Sequence, residues 1–364
     1  MPKGSSIPLE GEISIGDIRT EFQDTLDSKL SEFYGADRNV PKSGALALSD
    51  FYGATNIFIV YTSDLESGDD PKIPDATTQF GTGFDILKKA KSVGWNNFSK
   101  LEVNLGKKNL YSNNTGGSSC ALLISDVNVS AFPQYVKMNI NGVIMGRGGN
   151  GAQDFGGPGV GRPAIRVDTR KSKSAYGNEP KVILEVFSNG RILPGGGGGG
   201  GMYGLGTYYG AGGGGAGGGK GGNVYSSGDN LRYSGGGGGA FNANGGGAGG
   251  NGGQGRGGKA GGAGGGWRGR KGKDVGGAGG GGGRRITSAD APAVGGREGG
   301  GTGAAWNSNG GNGDAGGGGG YGKKGGNSGS ARASGTGAAG GSSVSTVSGS
   351  TGVEVKKNGG IVLD

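Results

Sequence analysis

Histidine is absent from all 364 residues of this chain. That removes the side chain most used as a general base near neutral pH, every Ser-His-Asp and Cys-His pair, and most catalytic zinc sites. Cysteine occurs once, at Cys120, so no internal disulfide framework exists. No apolar run approaches the roughly 18 residues of a membrane span. Met1-Pro-Lys-Gly-Ser-Ser6 lacks the apolar stretch of a secretory signal, so none is expected. Hydrophobic residues make up 31%, below the globular norm, so any ordinary core occupies only part of the chain.

Glycine fills the space. Gly195–Gly341 holds 71 of the 99 glycines in its 147 residues, with an unbroken run over Gly195–Gly201 and others at Gly235–Gly239, Gly279–Gly283 and Gly316–Gly320. A flexible linker would have this composition. Sorting into Gly-Gly-X triplets, as in Gly245–Lys259, instead follows the three-residue repeat of a polyproline II-type helix. Aromatic residues punctuate the runs, which a linker does not need. Collagen shares the period but requires proline at the outer positions, and Pro292 is alone in the block. The remaining reading is a sandwich of polyglycine II helices, whose backbones approach closely because no Cβ intervenes. Ordering each residue costs about 1–2 kcal/mol, against roughly 1 kcal/mol net per hydrogen bond, so one such helix is unstable and many side by side are needed.

Residues 1–55 form a separate small helical module with an internal echo. Ile7-Pro-Leu-Glu-Gly-Glu-Ile-Ser-Ile-Gly-Asp-Ile18 aligns with Val40-Pro-Lys-Ser-Gly-Ala-Leu-Ala-Leu-Ser-Asp-Phe51, and Leu30–Ala36 with Leu48–Ala54. Ile15, Ile18, Phe22, Leu26, Leu30 and Phe33 keep helical spacing, and Ser14-x-x-Asp17 has the pattern of a capping box. The module is too small for an independent core on this reading. It is expected to dock on something larger through Ile18, Phe22, Leu30, Phe33, Tyr34, Phe51 and Tyr52, or else to cap the next domain.

Residues 56–194 read as a β domain. Strands are expected at Ile57–Thr62, Ala121–Ile124, Val136–Ile140, Ile165–Val167 and Val182–Phe187, with a short helix between Phe84 and Val93. Asn141-Gly-Val-Ile-Met145, Asn189-Gly-Arg-Ile-Leu193 and Asn358-Gly-Gly-Ile-Val362 repeat one motif, and Asn-Gly after alternating apolar residues signals a hairpin. The last copy belongs to closing strands in 342–364. These strands are expected to cap the glycine stack and fix its register. The fold class is thus mainly β with irregular structure.

Two resemblances attach to these residues. The patterns Ile-Ser-Ile-Gly-Asp-Ile-Arg19 and Val40–Gly53 resemble a short N-terminal module of many tailed-bacteriophage virion proteins. Asn141–Gly151, Gly156-Gly-Pro-Gly159 and Asn189–Gly197 look like glycine-rich phage tail-fibre domains, with the fibre-tip adhesins of T-even-like phages as the nearest analogy. That second resemblance implies a polyglycine II sandwich whose loops bind a receptor on the bacterial surface, protein or lipopolysaccharide. The first resemblance implies a place on the virion with other tail proteins as partners. A purely structural tail or decoration protein is the alternative. An enzyme is the third choice: a carboxylate-based depolymerase needs no histidine, but no candidate pair stands out, so no enzymatic activity is expected.

The loops between glycine runs carry the candidate contacts: Tyr203, Tyr208, Tyr209, Tyr225, Arg232, Tyr233, Trp267, Arg268, Trp306 and Tyr321. Tyrosine, tryptophan and arginine dominate binding hot spots, though each ring could equally seal the stack. No cofactor or metal is expected. Lys220 follows Gly219 as in a phosphate loop, but Gly221 stands where serine or threonine belongs. Asp64, Glu66, Asp69 and Asp70 lack EF-hand spacing. The +9 net charge matches that of the glycine block, while residues 1–55 carry five basic and nine acidic side chains. Arg256-Gly-Gly and Arg268-Gly-Arg-Lys271 are too sparse for an RNA-binding tract, so nucleic acid is not an expected partner. A homo-oligomer is left open by the absence of sustained heptads.

Overall fold

The computed structural model describes most of residues 7–22, 29–60, 84–106, 110–111, 119–126, 135–152, 157–169, 181–222, 232–234, 319–327, 336–348 and 352–363. Few of these are helical. Most of the regular structure is parallel strand.

The N-terminal module opens with α1 (Ile15–Phe22), whose start is held by a reciprocal box. The Ser14 amide donates to Asp17 Oδ2 at 2.8 Å and the Asp17 amide donates back to Ser14 Oγ at 3.2 Å. In the second half-repeat Ala47 replaces Ser14. Its amide still reaches Asp50 Oδ2 at 2.7 Å, but it has no oxygen to return the bond, and only a single 3-10 turn forms there, Leu48–Phe51. The echo seen in the sequence is a clasp. The Tyr34 hydroxyl donates to the carbonyl of Gly44 and the Tyr52 hydroxyl to that of Gly11. Gly11 and Gly44 are equivalent in the repeat, and both have positive φ, 102° and 97°. Ile7, Ile18, Phe33, Ala36, Val40, Phe51 and Ala54 are buried together, with Phe33 and Phe51 edge to face at 6.1 Å.

This corrects the expectation of a module without its own core. Ile18, Phe33 and Phe51, expected among the docking contacts, are enclosed within it. Phe22, Leu30, Tyr34 and Tyr52 are half-buried.

The rest of the chain winds into a coil. β1 (Ile57–Val60) is followed by β2 (Phe84–Asp85) and α2 (Ile86–Ser92), which Asp85 caps by accepting from the Leu87 and Lys88 amides at 3.1 Å. Then come β3 (Lys100–Gly106), β4 (Leu110–Tyr111) and β5 (Leu122–Ser125). The next turn repeats the order with β6 (Tyr135–Ile140), β7 (Val143–Met145) and β8 (Ile165–Asp168). β9 (Lys181–Phe187) and β10 (Arg191–Leu193) lead into the glycine block, which contains β11 (Met202–Tyr203), β12 (Tyr208–Gly210) and β13 (Arg232–Ser234). The chain returns with β14 (Val344–Thr346), β15 (Val353–Asn358) and β16 (Ile361–Val362).

Strand pairing turns this order into a three-faced parallel β-helix. The long face is β1-β3-β6-β9-β15, the second face β4-β7-β10-β16, and the third face β2-β5-β8-β14. Every pairing within these faces is parallel, and the turns β3-β4-β5, β6-β7-β8 and β9-β10-β14 visit them in the same order.

Alternation in the sequence explains the filling. Leu101, Val136 and Val182 stack in one inward column, Val103, Met138 and Leu184 in the next, all fully buried. On the outer side Lys137 pairs with Glu185 at 3.2 Å, and Asn139 Nδ2 donates to Glu102 Oε1 at 2.6 Å. The three Asn-Gly motifs are corners between the long and second faces, not hairpins: the strands that follow two of them, β7 and β10, lie side by side in parallel, with β16 next to β10. A turn that feeds a new face of a coil and one that reverses a strand share these residues because both need a tight change of direction.

Candidate functional site

The site grows from one corner of the coil, where the second face should pass to the third. In two successive turns the chain leaves there as glycine-rich sequence: Gly146 to Ala164 between β7 and β8, and Pro194 to Ser343 between β10 and β14. The first excursion supplies two segments, and the second is laid against them. The boundaries at 195 and 341 therefore mark where the chain departs and returns, while the glycine assembly itself begins at Gly146.

Gly195–Gly199 lies at the centre. Its bonds follow a three-residue rule. The Gly195 and Gly198 amides donate to the carbonyls of Arg162 and Gly159, each at 2.9 Å. The Gly196 and Gly199 carbonyls accept from Gly149 and Ala152 at 2.8 and 3.0 Å. The Gly195 and Gly198 carbonyls accept from Gly341 and Ala338 at 2.8 and 2.9 Å, and the Gly197 carbonyl accepts from Gly319 at 2.7 Å. One segment is thus bonded to four others. A sheet strand reaches only two neighbours.

Side chains are excluded from this packing. A Cβ on Gly195 would lie 1.9 Å from the Arg147 carbonyl oxygen, on Gly198 1.9 Å from that of Asn150, and on Gly197 1.9 Å from that of Ala338. Gly151, Gly161, Gly212 and Gly215 are equally closed by backbone oxygens at 1.8 to 2.0 Å. Where the chain has room it uses alanine: Ala152 is buried, and Ala338 is more open.

The assembly rests on the outer side of the second face. Tyr321 packs over Met145 and Leu193, with Val143 and Leu363 at the margin, and its hydroxyl lies 3.5 Å from Met145 Sδ. Burial holds that phenol well above its ordinary range. Tyr321, expected among the receptor contacts, is enclosed at 5% exposure and seals the stack against the coil.

Tyr203, Tyr208, Tyr209, Arg232 and Tyr233 all fall on the small sheet β11-β12-β13, which brings together two stretches that read as separate loops in the sequence, 202–210 and 223–234. Tyr225, Trp267, Arg268 and Trp306 lie outside the described residues, as do Asp64, Glu66, Asp69 and Asp70. Lys220 belongs to the glycine assembly: its amide donates to Asn150 Oδ1 at 3.0 Å and its carbonyl accepts from Gly151. Cys120 is buried and its thiol is pushed up to about 12, chiefly by desolvation, which keeps it protonated and unreactive.

No protein-family model matches the chain, and neither does any curated protein. Among solved structures the chain is similar to one in the crystal structure of the gp37-gp38 adhesin tip complex of the bacteriophage S16 long tail fiber. Identity is 18%, coverage 97% of this chain and 98% of that one, and the TM-score 0.42. Likeness at that score establishes no shared fold.

Proposed function

We propose that this chain is a receptor-binding protein of a phage tail fibre, carried on the virion and without enzymatic activity. It recognises a bacterial surface protein or glycan through the segments between its glycine runs. The observation that carries the reading is the bonding of Gly195–Gly199 to four neighbours at three-residue spacing. We read that pattern as a polyglycine II stack, since a threefold helix turns residues i and i+3 toward the same neighbour. A rigid stack holds the ends of the segments it connects, which lowers the ordering cost of binding. The virion-like patterns in residues 7–55 support attachment to other tail proteins through that module, with a homo-oligomer as one arrangement.

The test is direct adsorption of the purified protein to host cells, compared with mutants lacking single outer-membrane proteins or lipopolysaccharide sugars. Binding to the parent and loss with one mutant is the expected result. Exchange of 202–209, 223–234 or 267–275 for a relative's residues should then redirect host range while the fold survives. Absence of binding to any strain would put a purely structural virion role ahead, a role that the enclosed ring of Tyr321 favours for that one residue. Deleting residues 1–55 should leave adsorption intact and abolish incorporation into particles.

A further inference from the structure

β14, β15 and β16 each stand last in their face, and among the described strands none lies beyond them. The inward columns register that open end. Ile165, Val182, Leu184 and Ile192 are fully buried, yet their partners one turn on, Val344, Val353, Val355 and Val362, are only partly covered. Val355 is 37% exposed. The last apolar layer of a solenoid needs a cover. Backbone groups are open there as well. The Val182 amide donates to the Gly352 carbonyl at 2.8 Å, a parallel pattern in which Val353, Val355 and Lys357 turn their amides and carbonyls away from β9.

We propose that this end joins a second copy of the chain about a twofold axis, with β15 antiparallel to its own counterpart. The proposal does not rest on the receptor-binding reading. Charge complementarity selects the partner. Pairing through the free edge, with the valines kept on the inner side, requires odd-numbered residues to oppose odd-numbered ones. The well-overlapped registers are then centred on Glu354, Val355 or Lys356. Centring on Glu354 sets that carboxylate against itself, and centring on Lys356 does the same to its ammonium. Centring on Val355 instead places Glu354 of each copy opposite Lys356 of the other, with Val355 against Val355. Both charged residues stand on the outer side, where Lys356 already lies 3.8 Å from Glu354 and 4.0 Å from Glu185. Lysine on an edge usually discourages pairing, but a self-complementary edge answers it. Lys357 opposes Val353 of the second copy near the end of the pair, where a long side chain keeps its charge in water. The winding of the coil lets the other faces follow. β14, β15 and β16 succeed one another along the chain, so β16 stands above β15 by the rise that β14 lies below it. A twofold axis through β15 therefore brings β16 of one copy over β14 of the other, and Val344 and Val362 into one apolar layer.

The experiment is sedimentation of the full chain at micromolar concentration, with a dimer that dissociates on dilution as the expected result. Glu354→Lys sets like charges opposite each other, as does Lys356→Glu, and each should weaken the dimer about tenfold or more. An equimolar mixture of the two variants restores opposite charges at both positions and should recover the dimer. Damage to the fold by either change would not be rescued by mixing. A chain that sediments as a monomer at every concentration overturns the proposal, as does a dimer that neither variant weakens. Should the variants fail to fold, hydrogen exchange on the unsubstituted protein decides. The amides of Val353, Val355 and Lys357 should be protected in the dimer and exchange quickly on dilution, and equal exchange in both ends the proposal. Another tail protein bound at this end of a monomeric chain overturns the second copy as its occupant. None of these outcomes bears on adsorption to host cells, so this inference and the receptor reading fail separately.

Discussion

The amide of Gly341 donates to the carbonyl of Gly195 at 2.8 Å, so an excursion of 147 residues ends one hydrogen bond from where it began. Adjacent ends are what make an inserted unit separable from its host. Replacing 196–340 by a short glycine bridge should leave a soluble coil that unfolds cooperatively on heating. Loss of Tyr321 exposes Met145 and Leu193 to water, at a cost of about 3 kcal/mol. An insoluble product would mean that the coil depends on the glycine assembly.

Substitution by alanine separates the packed glycines from the merely frequent ones. At Gly198 a Cβ would sit 1.9 Å from the Asn150 carbonyl oxygen, whereas at Gly157 it would meet nothing within 4 Å. Gly198→Ala should lose about 3 kcal/mol or more, because backbone must shift to admit it. Gly157→Ala should stay within about 0.5 kcal/mol. Thermal unfolding of the two variants checks this, and equal midpoints would remove the basis for a close-packed stack.

In the N-terminal module Phe51 is fully buried against Phe33, while Tyr52 locks Gly11 from outside. Phe51→Ala should cost about 3–5 kcal/mol and release amide protection across residues 7–55. Tyr52→Phe removes one hydroxyl bond and should cost about 1 kcal/mol. Hydrogen exchange reads both. The coil amides should be unaffected, since its core is a separate cluster.

Asp17 is held below its ordinary carboxylate value by its hydrogen bonds with Ser14. A depressed carboxyl favours the folded state above its unfolded pKa, and that contribution is lost as pH falls through the folded value. A carboxyl chemical-shift titration should find the Asp17 midpoint below the ordinary aspartate range, and Ser14→Ala should return it toward that range.

Cys120, pushed up to about 12 by burial, should resist alkylation at pH 8 in the native protein and react at once after denaturation. Rapid native labelling would place that thiol at the surface.

Much of the coil was legible in the chain because alternation survives burial. Strands expected at Val136–Ile140, Ile165–Val167 and Val182–Phe187 lie within a residue of their observed ends. β3 is not among the expected strands, although Leu101, Val103 and Leu105 alternate with Lys100, Glu102 and Asn104. The repeat Asn-Gly-x-Ile was visible, but its meaning was not, since a corner and a hairpin need the same residues. At the site, the Gly-Gly-X stretch Gly245–Lys259 lies outside the described residues, and the bonds between segments are instead described at the pure-glycine run Gly195–Gly199. Spacing could not tell that Tyr321 lies inside, because an aromatic beside a glycine run reads the same whether it faces solvent or Met145. Nor could it bring Tyr203, Tyr209 and Tyr233 into backbone register, which is set by pairing between distant strands.

Pairing of β14 with β8 has a consequence for synthesis. The third face receives its last strand only after the 150 residues between Leu193 and Val344 have been made. At 5–20 residues per second a ribosome takes on the order of ten seconds to do so. Throughout that interval the edge of β8 stands unpaired beside emerging glycine. Nascent chains stalled at residue 341 should therefore be cut by protease near β8, and chains stalled beyond the full sequence should not.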